Sequence, residues 1–243
     1  MSSEHHTGRV AVITGASSGI GGATARALAA TGHRLALLAR RADRIQALAT
    51  ELGDGAIAIT ADVTDRDALL TAAERVKREL GGADILVNNA GVMLLAPFSA
   101  EQHAESRQMI EVNLLGAITA TEVFLDQLRD GQGDLVNISS VAGRSARPGN
   151  AVYAATKWGV NGWSEALRQE LQPGVRVTVI EPGAVATEPT DHITDAGAKQ
   201  MAEGFYEQVA ITAQDIAETI AFAITRPLCV TLNEILIRPT AQP

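Results

Sequence analysis

The sequence predicts an α/β fold, in which a doubly wound parallel sheet of seven strands carries helices on both faces in three layers. Short apolar runs alternate with helical segments, and this alternation indicates βαβ units. Most of the runs are continuous and bounded by Gly, Asp or Asn, as expected of parallel strands buried on both faces. Hydrophobic residues make up 46% of the 243 residues and aromatics only 3%, so Ala, Val, Ile and Leu must build the core.

Seven segments qualify as strands because they are short and mainly apolar: Val10–Thr14, Arg34–Ala39, Ala56–Ala61, Ile85–Asn88, Leu135–Ser139, Val175–Glu181 and Glu234–Arg238. Six segments have apolar residues three or four positions apart, the helical period: Gly21–Ala30, Arg41–Leu52, Arg66–Leu80, Ala104–Leu128, Ala151–Leu171 and Ala213–Thr225. Neither a repeat nor a linker interrupts the series, which predicts a single domain over residues 1–243, with the polar segment 1–7 as a disordered tail.

One segment breaks the alternation. Residues 186–208 lie between a predicted strand and the last predicted helix, and they contain Pro189, Gly197 and Gly204. A short helix is expected around Ala196–Gln208. A long excursion at the carboxyl edge of a sheet is typical of a substrate lid.

Charge and cysteine content limit the possible partners. The formal net charge is −8 and no block of Lys and Arg occurs, which disfavours nucleic acid or an anionic membrane as a partner. No apolar run approaches the roughly 20 residues of a membrane-spanning helix. The His5-His6 pair in the polar tail is expected to bind no metal. Cys229 is the single cysteine; it excludes an intrachain disulfide, fits a reducing cytoplasm, and is expected to be a small buried side chain.

A glycine-rich turn follows the first predicted strand. The segment Thr14–Gly21 has glycines at positions 15, 19 and 21 and leads directly into a helix. A tight turn at a helix N-terminus brings backbone N–H groups and the positive end of the helix dipole close to a pyrophosphate. The turn therefore predicts a dinucleotide site formed by Gly15, Ser17, Ser18, Gly19, Ile20 and Gly21.

The end of the second predicted strand indicates which dinucleotide binds. An acidic residue there accepts a hydrogen bond from the ribose 2′-OH of NAD, but here Ala39 is followed by Arg40 and Arg41. Guanidinium groups attract a 2′-phosphate, so the charge predicts NADP(H), with Ser17 and Ser18 as further donors. The alternative is that the two arginines are a solvated surface pair.

A second constellation carries the chemistry. Tyr153 and Lys157 are four residues apart in a predicted helix and share one of its faces. Ser140 follows a predicted strand at the carboxyl edge of the sheet, where ligands of α/β proteins bind. An ammonium group favours the phenolate form of a neighbouring tyrosine, and a hydroxyl can hydrogen-bond a carbonyl oxygen. These residues together predict protonation of an alkoxide formed by hydride transfer.

The motifs taken together resemble the short-chain dehydrogenase/reductase family. They are the T-G-x-x-x-G-x-G turn, Asp62-Val63, Asn88-Asn89-Ala90-Gly91, Ser140, the Y-x-x-x-K motif of residues 153–157, and Glu181-Pro182-Gly183. The resemblance extends from Gly8 nearly to the C-terminus. It implies a Rossmann-type sheet with strand order 3-2-1-4-5-6-7 and a homotetramer or homodimer, in which the Ala104–Leu128 and Ala151–Leu171 helices pack between subunits.

The resemblance also implies a role for each matching residue. Tyr153 is the acid/base, Lys157 binds the nicotinamide ribose and lowers the Tyr153 pKa, Ser140 positions the substrate oxygen, and Asn113 holds a relay water through its main chain. Further cofactor contacts are implied for Asp62, Val63, Asn89, Gly91, Pro182, Gly183, Val185 and Thr187. Ser139 competes with Ser140 as the hydroxyl, but thirteen residues from Ser140 to Tyr153 is the family's usual spacing.

The expected activity is an NADP(H)-dependent oxidoreductase of the carbonyl reductase type, acting on a small carbonyl or alcohol. The alternatives are an epimerase or dehydratase, which would need a larger C-terminal domain, and a non-catalytic NADP(H)-binding regulator. Met93, Val141 and Phe205, with Ser140 and Tyr153, are the expected substrate contacts. They predict a largely apolar pocket but do not identify the substrate.

Overall fold

A seven-stranded parallel sheet, in the order β3-β2-β1-β4-β5-β6-β9, organises the chain. The computed structural model describes residues 8–187, 193 and 195–242, without the side chains of residues 205–208. The predicted tail of residues 1–7 therefore lies outside the described residues. The strands of the sheet are β1 (Val10–Thr14), β2 (Arg34–Ala39), β3 (Ala56–Thr60), β4 (Ile85–Asn88), β5 (Asp134–Ile138), β6 (Arg176–Pro182) and β9 (Glu234–Ile237). The predicted fold class and strand order are confirmed.

Helices cover both faces of this sheet, each with its own apolar core. On one face, α3 (Arg66–Leu80), α5 (Gly116–Asp130) and α6 (Ala151–Leu171) pack around the fully buried Phe124. On the other face, α1 (Gly19–Ala30), α2 (Ala42–Leu52) and α8 (Ala213–Ile224) contribute a mainly aliphatic core. The central strands β1, β4, β5 and β6 are fully buried between these layers, which explains why their sequences are mainly apolar without alternation.

Two parts of the chain differ from the predicted elements. The segment predicted as one helix over Ala104–Leu128 is divided into α4 (His103–Ile110), a π-helical turn (Glu111–Leu115) and α5. In the excursion, β7 (Val185–Ala186) pairs in parallel with β8 (Ile211–Thr212), one on each side of α7 (Ala196–Val209). The predicted helix is thus present, and its role as a substrate lid stays a prediction, because residues 188–192 and 194 lie outside the described part of the chain.

Buried charges hold the amino-terminal edge of the sheet together. The Asp134 carboxylate accepts hydrogen bonds from both Nε and Nη2 of Arg176, at 2.7 and 2.8 Å, and Arg9 Nη1 lies 2.7 Å from the same carboxylate. Arg176 also donates to the carbonyl of Ile224 at the end of α8. Because each charge has a charged and hydrogen-bonded partner, its burial is compensated.

The single cysteine lies at the surface. Cys229 is exposed, so its predicted burial is wrong; the chain has left α8 and turns there, with Val230 N–H donating to Pro227 O.

Large apolar side chains are exposed on the helices predicted to pack between subunits, namely Ile110, Leu115 and Trp158. The oligomeric state stays a prediction. In the described part of the chain, no helix has the length and apolarity to cross a membrane, and no three His, Cys, Asp or Glu residues group as metal ligands.

Candidate active site

A cavity of about 1230 Å³ opens along the carboxyl edge of the sheet, from the end of β3 to the end of β9. It is lined by most of the predicted cofactor and catalytic residues, together with Met93 and Val141. Gly21 and Asn113 lie behind the cavity wall, and the Phe205 side chain is outside the described residues. One continuous cavity thus brings together two sequence motifs that are far apart along the chain.

The glycine turn between β1 and α1 packs too closely for a side chain at two of its positions. Gly15 has φ +66°, and a Cβ there would lie 2.8 Å from the Ala90 Cα. A Cβ on Gly21 would lie 2.5 Å from the Gly15 carbonyl oxygen. Ser18 at the helix N-cap makes no side-chain capping bond, and the first turn of α1 has no acidic residue. This end of α1 therefore fits the pyrophosphate of a dinucleotide.

Thr14 and Asn89 fix this turn to the end of β4. Thr14 Oγ1 accepts from the backbone N–H groups of Asn89 and Ala90, at 3.0 and 3.1 Å, while it donates to Val87 O. Asn89 Nδ2 donates to the carbonyls of Thr14 and Gly15. The Asn89 amide nitrogen is thus used to shape the turn, in addition to the adenosine contact that the resemblance implies.

The two arginines after β2 have different surroundings. Arg41 Nε donates to Ser17 Oγ at 3.0 Å and Arg41 Nη2 to Ser18 Oγ at 2.6 Å, which places this guanidinium against the glycine turn. Arg40 is 59% exposed, with Nη1 3.8 Å from Asp62 Oδ2. The other Asp62 oxygen accepts from Thr64, and Arg40 lines the cavity.

Ser140, Tyr153 and Lys157 meet at the other end of the cavity. Ser140 caps a 3₁₀ turn (Val141–Gly143) by accepting from Ala142 N–H at 3.1 Å, and its hydroxyl is close enough to the Tyr153 phenol to lower the phenol's pKa. Ser139 Oγ instead donates to Lys157 O at 3.3 Å. The two serines that competed on sequence grounds are therefore distinguished by their partners, and Ser140 is the one beside Tyr153.

Burial dominates the electrostatics of this group. It raises the pKa of Tyr153, which the Ser140 hydroxyl opposes, and it lowers the pKa of Lys157 to about 8. Lys157 Nζ donates to Ile138 O at 2.8 Å and lies 5.7 Å from the centre of the Tyr153 ring. Desolvation therefore sets the direction of the Tyr153 pKa shift, while the Lys157 ammonium group is directed at Ile138 O. The lowering of the Tyr153 pKa that the resemblance implies for Lys157 stays a prediction.

Asn113 lies in the π-helical turn between α4 and α5, with its side chain fully engaged. Its Oδ1 accepts from Val92 N–H at 2.7 Å, and its Nδ2 donates to Val92 O at 2.8 Å and to Thr156 Oγ1 at 3.3 Å. Close by, a Cβ on Gly91 would lie 3.3 Å from the Asn113 Oδ1. With its amide used to hold the loop after β4, only the main chain of Asn113 is available for the implied water.

The loop after β6 is held from two directions. Gly183 N–H donates to Ile237 O at 2.7 Å, and Ala184 N–H donates to Gln242 Oε1 at 2.9 Å. Farther along, the Thr187 side chain lies against Gly19, whose Cβ would be 3.2 Å away. The loop predicted to contact nicotinamide therefore spans from the C-terminal segment to the glycine turn.

A buried carboxylate connects this loop to the Tyr153 helix. Glu181, fully buried in β6, accepts from Arg144 Nε at 2.7 Å and from Asn161 Nδ2 at 2.6 Å. Arg144 also pairs with Glu234 of β9. These contacts raise the Arg144 pKa further above its ordinary value. Arg144 therefore joins β6 to β9.

Two residues that sequence reasoning did not propose also line the cavity, namely Arg238 and Gln242. Both follow β9, and only the pairing of β9 with β6 brings them to this edge. Arg147, in the loop before the helix that carries Tyr153, lines the cavity as well. A cation near the predicted end of β9 was the one available signal, and it has no distinctive spacing.

Comparison with known proteins places this geometry among oxidoreductases. An uncharacterized oxidoreductase of Staphylococcus saprophyticus is 39% identical over 239 residues, covering 96% of this chain and 97% of that protein. One of Listeria monocytogenes is 40% identical over 243 residues, covering 97% and 98%.

Solved structures agree with this placement. A closed form of serine dehydrogenase complexed with NADP+ is 34% identical with a TM-score of 0.89, covering 96% of each chain. An alcohol dehydrogenase of the archaeon Thermococcus sibiricus complexed with 5-hydroxy-NADP is 31% identical with a TM-score of 0.87, covering 97% of this chain and 98% of that one. Residues 9–198 match the family model described as short chain dehydrogenase, and the chain is a member of the short-chain dehydrogenase/reductase family of oxidoreductases.

Proposed function

We propose that the protein is an NADP(H)-dependent oxidoreductase that interconverts a carbonyl compound and its alcohol, with Tyr153 as the general acid/base. The observation that carries this proposal is that Ser140, Tyr153 and Lys157 line the same cavity as the glycine turn, with Lys157 Nζ 5.7 Å from the centre of the Tyr153 ring. A non-catalytic NADP(H)-binding regulator would have no use for a proton donor in this position.

The proton chemistry follows from the surroundings of Tyr153. When bound, a reduced nicotinamide supplies the hydride that reaches the carbonyl carbon. A phenol whose pKa is raised by burial is protonated at neutral pH, which is the form that donates a proton to the alkoxide oxygen. Ser140 would hydrogen-bond the same oxygen and stabilise its developing charge. Reduction therefore needs no prior ionisation of Tyr153, whereas alcohol oxidation requires its deprotonation and should accelerate as pH rises.

The charge at the end of β2 supports NADP(H) as the cofactor. Arg40 and Arg41 line the cavity there, and Asp62 is the acidic side chain nearest to Arg40 in the described structure. A guanidinium donates to a phosphate through several N–H groups, which the 2′-OH of NAD cannot match. Both structural neighbours are complexes with NADP-type molecules.

Tyr153→Phe tests the proposed acid/base. The substitution removes one hydroxyl, so kcat for NADPH-dependent reduction of an aldehyde and ketone panel should fall by at least about a hundredfold. Absorbance at 340 nm measures turnover, and nicotinamide fluorescence measures NADPH binding, which should change less than about twofold. Turnover close to wild type in the variant would remove Tyr153 from this role. NADPH binding by the wild-type protein with no carbonyl reduced would favour the regulator.

Arg40→Asp tests the cofactor preference. A carboxylate repels the 2′-phosphate, so the NADPH/NADH ratio of kcat/KM should fall by about tenfold to a hundredfold. Arg34→Asp is the matched control, because it makes the same charge change at the exposed amino end of β2. An equal ratio in the Arg40→Asp and wild-type proteins would mean that Arg40 does not contact the 2′-phosphate.

A further inference from the structure

Two arginines at the substrate end of the cavity have no ion-pair partner among the described residues. Arg147 and Arg238 both line the cavity that contains Ser140 and Tyr153. Neither guanidinium is hydrogen-bonded or within salt-bridge distance of an acid in the described part of the chain, whereas the neighbouring Arg144 contacts both Glu181 and Glu234. Both arginines are exposed to the solvent that fills the cavity, so their N–H donors and positive charges are open to an anionic ligand.

Arg147 occupies a rigid turn. Its N–H donates to Asn150 Oδ1 at 2.8 Å, and its carbonyl accepts from Asn150 N–H at 3.2 Å. Pro148 fixes the next residue of the turn, and Gly149 has φ +84°, a pattern typical of a type II turn. Gly149 O also accepts from Ala96 N–H at 3.0 Å. The Arg147 backbone is therefore positioned directly before the helix that carries Tyr153.

The residues on both sides of Arg238 are hydrogen-bonded to the loop after β6. Ile237, its neighbour, pairs with Pro182 in the sheet and accepts from Gly183 N–H at 2.7 Å. On the far side of Arg238, Gln242 N–H donates to Pro239 O, and Gln242 Oε1 accepts from Ala184 N–H. Hydrogen bonds to the loop after β6 thus bracket Arg238, which emerges beside the predicted nicotinamide position.

The location of the two arginines separates them from the cofactor phosphates. The glycine turn follows β1, and Arg40 and Arg41 follow β2, so the phosphate groups belong to that half of the sheet. Arg147 follows β5 and Arg238 follows β9, in the opposite half. Among the described residues, Asp195 is the acidic side chain that lines this half of the cavity. It caps α7 by accepting a hydrogen bond from Ala198 N–H at 2.7 Å.

The walls around the two cations are apolar. Leu95, Phe98, Val141 and Met201 line the same region, and Phe98 and Met201 are 79% and 78% exposed at its mouth. Such a lining suits a short carbon chain, and a planar carboxylate suits the forked donors of arginine. The combination selects a ligand that has an apolar body with one acidic group.

We propose that Arg147 and Arg238 form a carboxylate-binding site beside Ser140 and Tyr153, and that the substrate pair is a small hydroxy acid and its oxo acid. In oxidation the hydroxy acid would give hydride to NADP+ and its hydroxyl proton to Tyr153, and in reduction NADPH would return the hydride and Tyr153 the proton. The substrate assignment depends on the proposed function, whereas the carboxylate site itself does not. The carboxylate would anchor one end of the substrate, which places the carbonyl carbon at a fixed distance from Tyr153 and the nicotinamide.

A binding experiment tests the site without turnover. Butanoate, butanamide and inorganic phosphate are titrated calorimetrically into the NADPH-loaded protein. Butanoate should bind at least tenfold more tightly than butanamide, which has the same shape without the charge. Arg147→Gln and Arg238→Gln should each weaken butanoate binding by about tenfold to a hundredfold and butanamide binding by less than about twofold. Arg129→Gln, which neutralises an exposed arginine of α5 outside the cavity, is the matched control and should change neither.

Three results of this titration would overturn the proposal. The first is butanamide binding as tight as butanoate binding. The second is an Arg238→Gln variant whose NADPH affinity falls as much as its butanoate affinity, which would assign Arg238 to the cofactor. The third is phosphate binding tenfold tighter than butanoate binding, which would assign the site to phosphate esters.

A kinetic experiment then tests the substrate class. 2-Oxobutanoate, 3-oxobutanoate and 4-oxopentanoate are each compared with their methyl esters, so that the distance from carboxylate to carbonyl varies. For at least one pair the acid should have a tenfold higher kcat/KM, and Arg147→Gln and Arg238→Gln should reduce that advantage. Esters reduced as well as acids in every pair would refute the substrate class. Butanoate selectivity without reduction of any carbonyl would refute the proposed oxidoreductase function and leave the carboxylate site standing.

Discussion

The arginines at the two edges of the central sheet differ in their partners. At the amino-terminal edge, Arg9 and Arg176 are buried against Asp134, and every charge has a charged partner within hydrogen-bonding distance. At the carboxyl edge, Arg147 and Arg238 line an open cavity without an ion pair among the described residues. Paired charges hold the strands together, and unpaired charges are available to a ligand. The difference shows which charges belong to folding and which are free for recognition.

Removing a charge at the amino-terminal edge should have the largest effect on stability. Arg176→Leu leaves a buried Asp134 with Arg9 alone, so the free energy of unfolding should fall by about 3–5 kcal/mol. Urea denaturation measures this change, and kcat of the folded protein should stay within about twofold of wild type. Arg238→Gln at the other edge should change the unfolding free energy by less than about 0.5 kcal/mol. Equal destabilisation by both variants would abolish the contrast between the edges.

The glycine turn belongs to the carboxyl edge, but its requirement is space rather than charge. Gly21→Ala places a Cβ against the Gly15 carbonyl oxygen, so the turn must shift at a cost of about 1–3 kcal/mol in unfolding free energy. NADPH affinity should fall at least about tenfold, measured by fluorescence titration. Gly22→Ala is the control, since its Cβ would be 3.5 Å from the nearest heavy atom, Ala16 O. A similar loss of NADPH affinity in Gly22→Ala would contradict this account of the turn.

The smallest expected effect concerns Lys157, whose buried ammonium group donates to the Ile138 carbonyl at the carboxyl edge. The Lys157 pKa falls from 10.5 to about 8 on folding, so between these values the unfolded chain binds more protons than the folded protein. Stability must therefore rise with pH in this range. Relative to Lys157→Met, the wild-type unfolding free energy should increase by about 1 kcal/mol between pH 8 and 9. No difference between their pH profiles would mean that Lys157 ionises normally in the folded protein.

Local sequence signals predicted a large part of this molecule. The strand and helix series, the glycine turn after β1, and the spacing of Ser140, Tyr153 and Lys157 depend on residues that are near one another in the chain or on motifs with a fixed order. Such signals identify the fold, and they predict the residues found together in the cavity, because each motif sits at the end of a strand whose carboxyl end faces the same edge.

The features that escaped prediction depend on tertiary packing. The two-residue strands β7 and β8 are too short for a period to be visible, and the π-helical turn at Asn113 keeps the apolar pattern of an α-helix. The direction of the Tyr153 pKa shift is set by burial, which spacing does not reveal. Arg238 and Gln242 reach the site only because β9 pairs with β6.

That pairing also bears on the order in which the protein assembles. Strands β9 and β6 are neighbours in space, although β7, α7, β8 and α8 all lie between them along the chain. Contacts between such distant segments require the closure of a large loop and tend to form late in folding. The glycine turn needs only β1, α1 and the end of β4, whereas the Arg238 side of the cavity forms only once the final strand, β9, has paired with β6. We therefore expect a refolding chain to acquire its nucleotide-binding half before the half that selects the substrate.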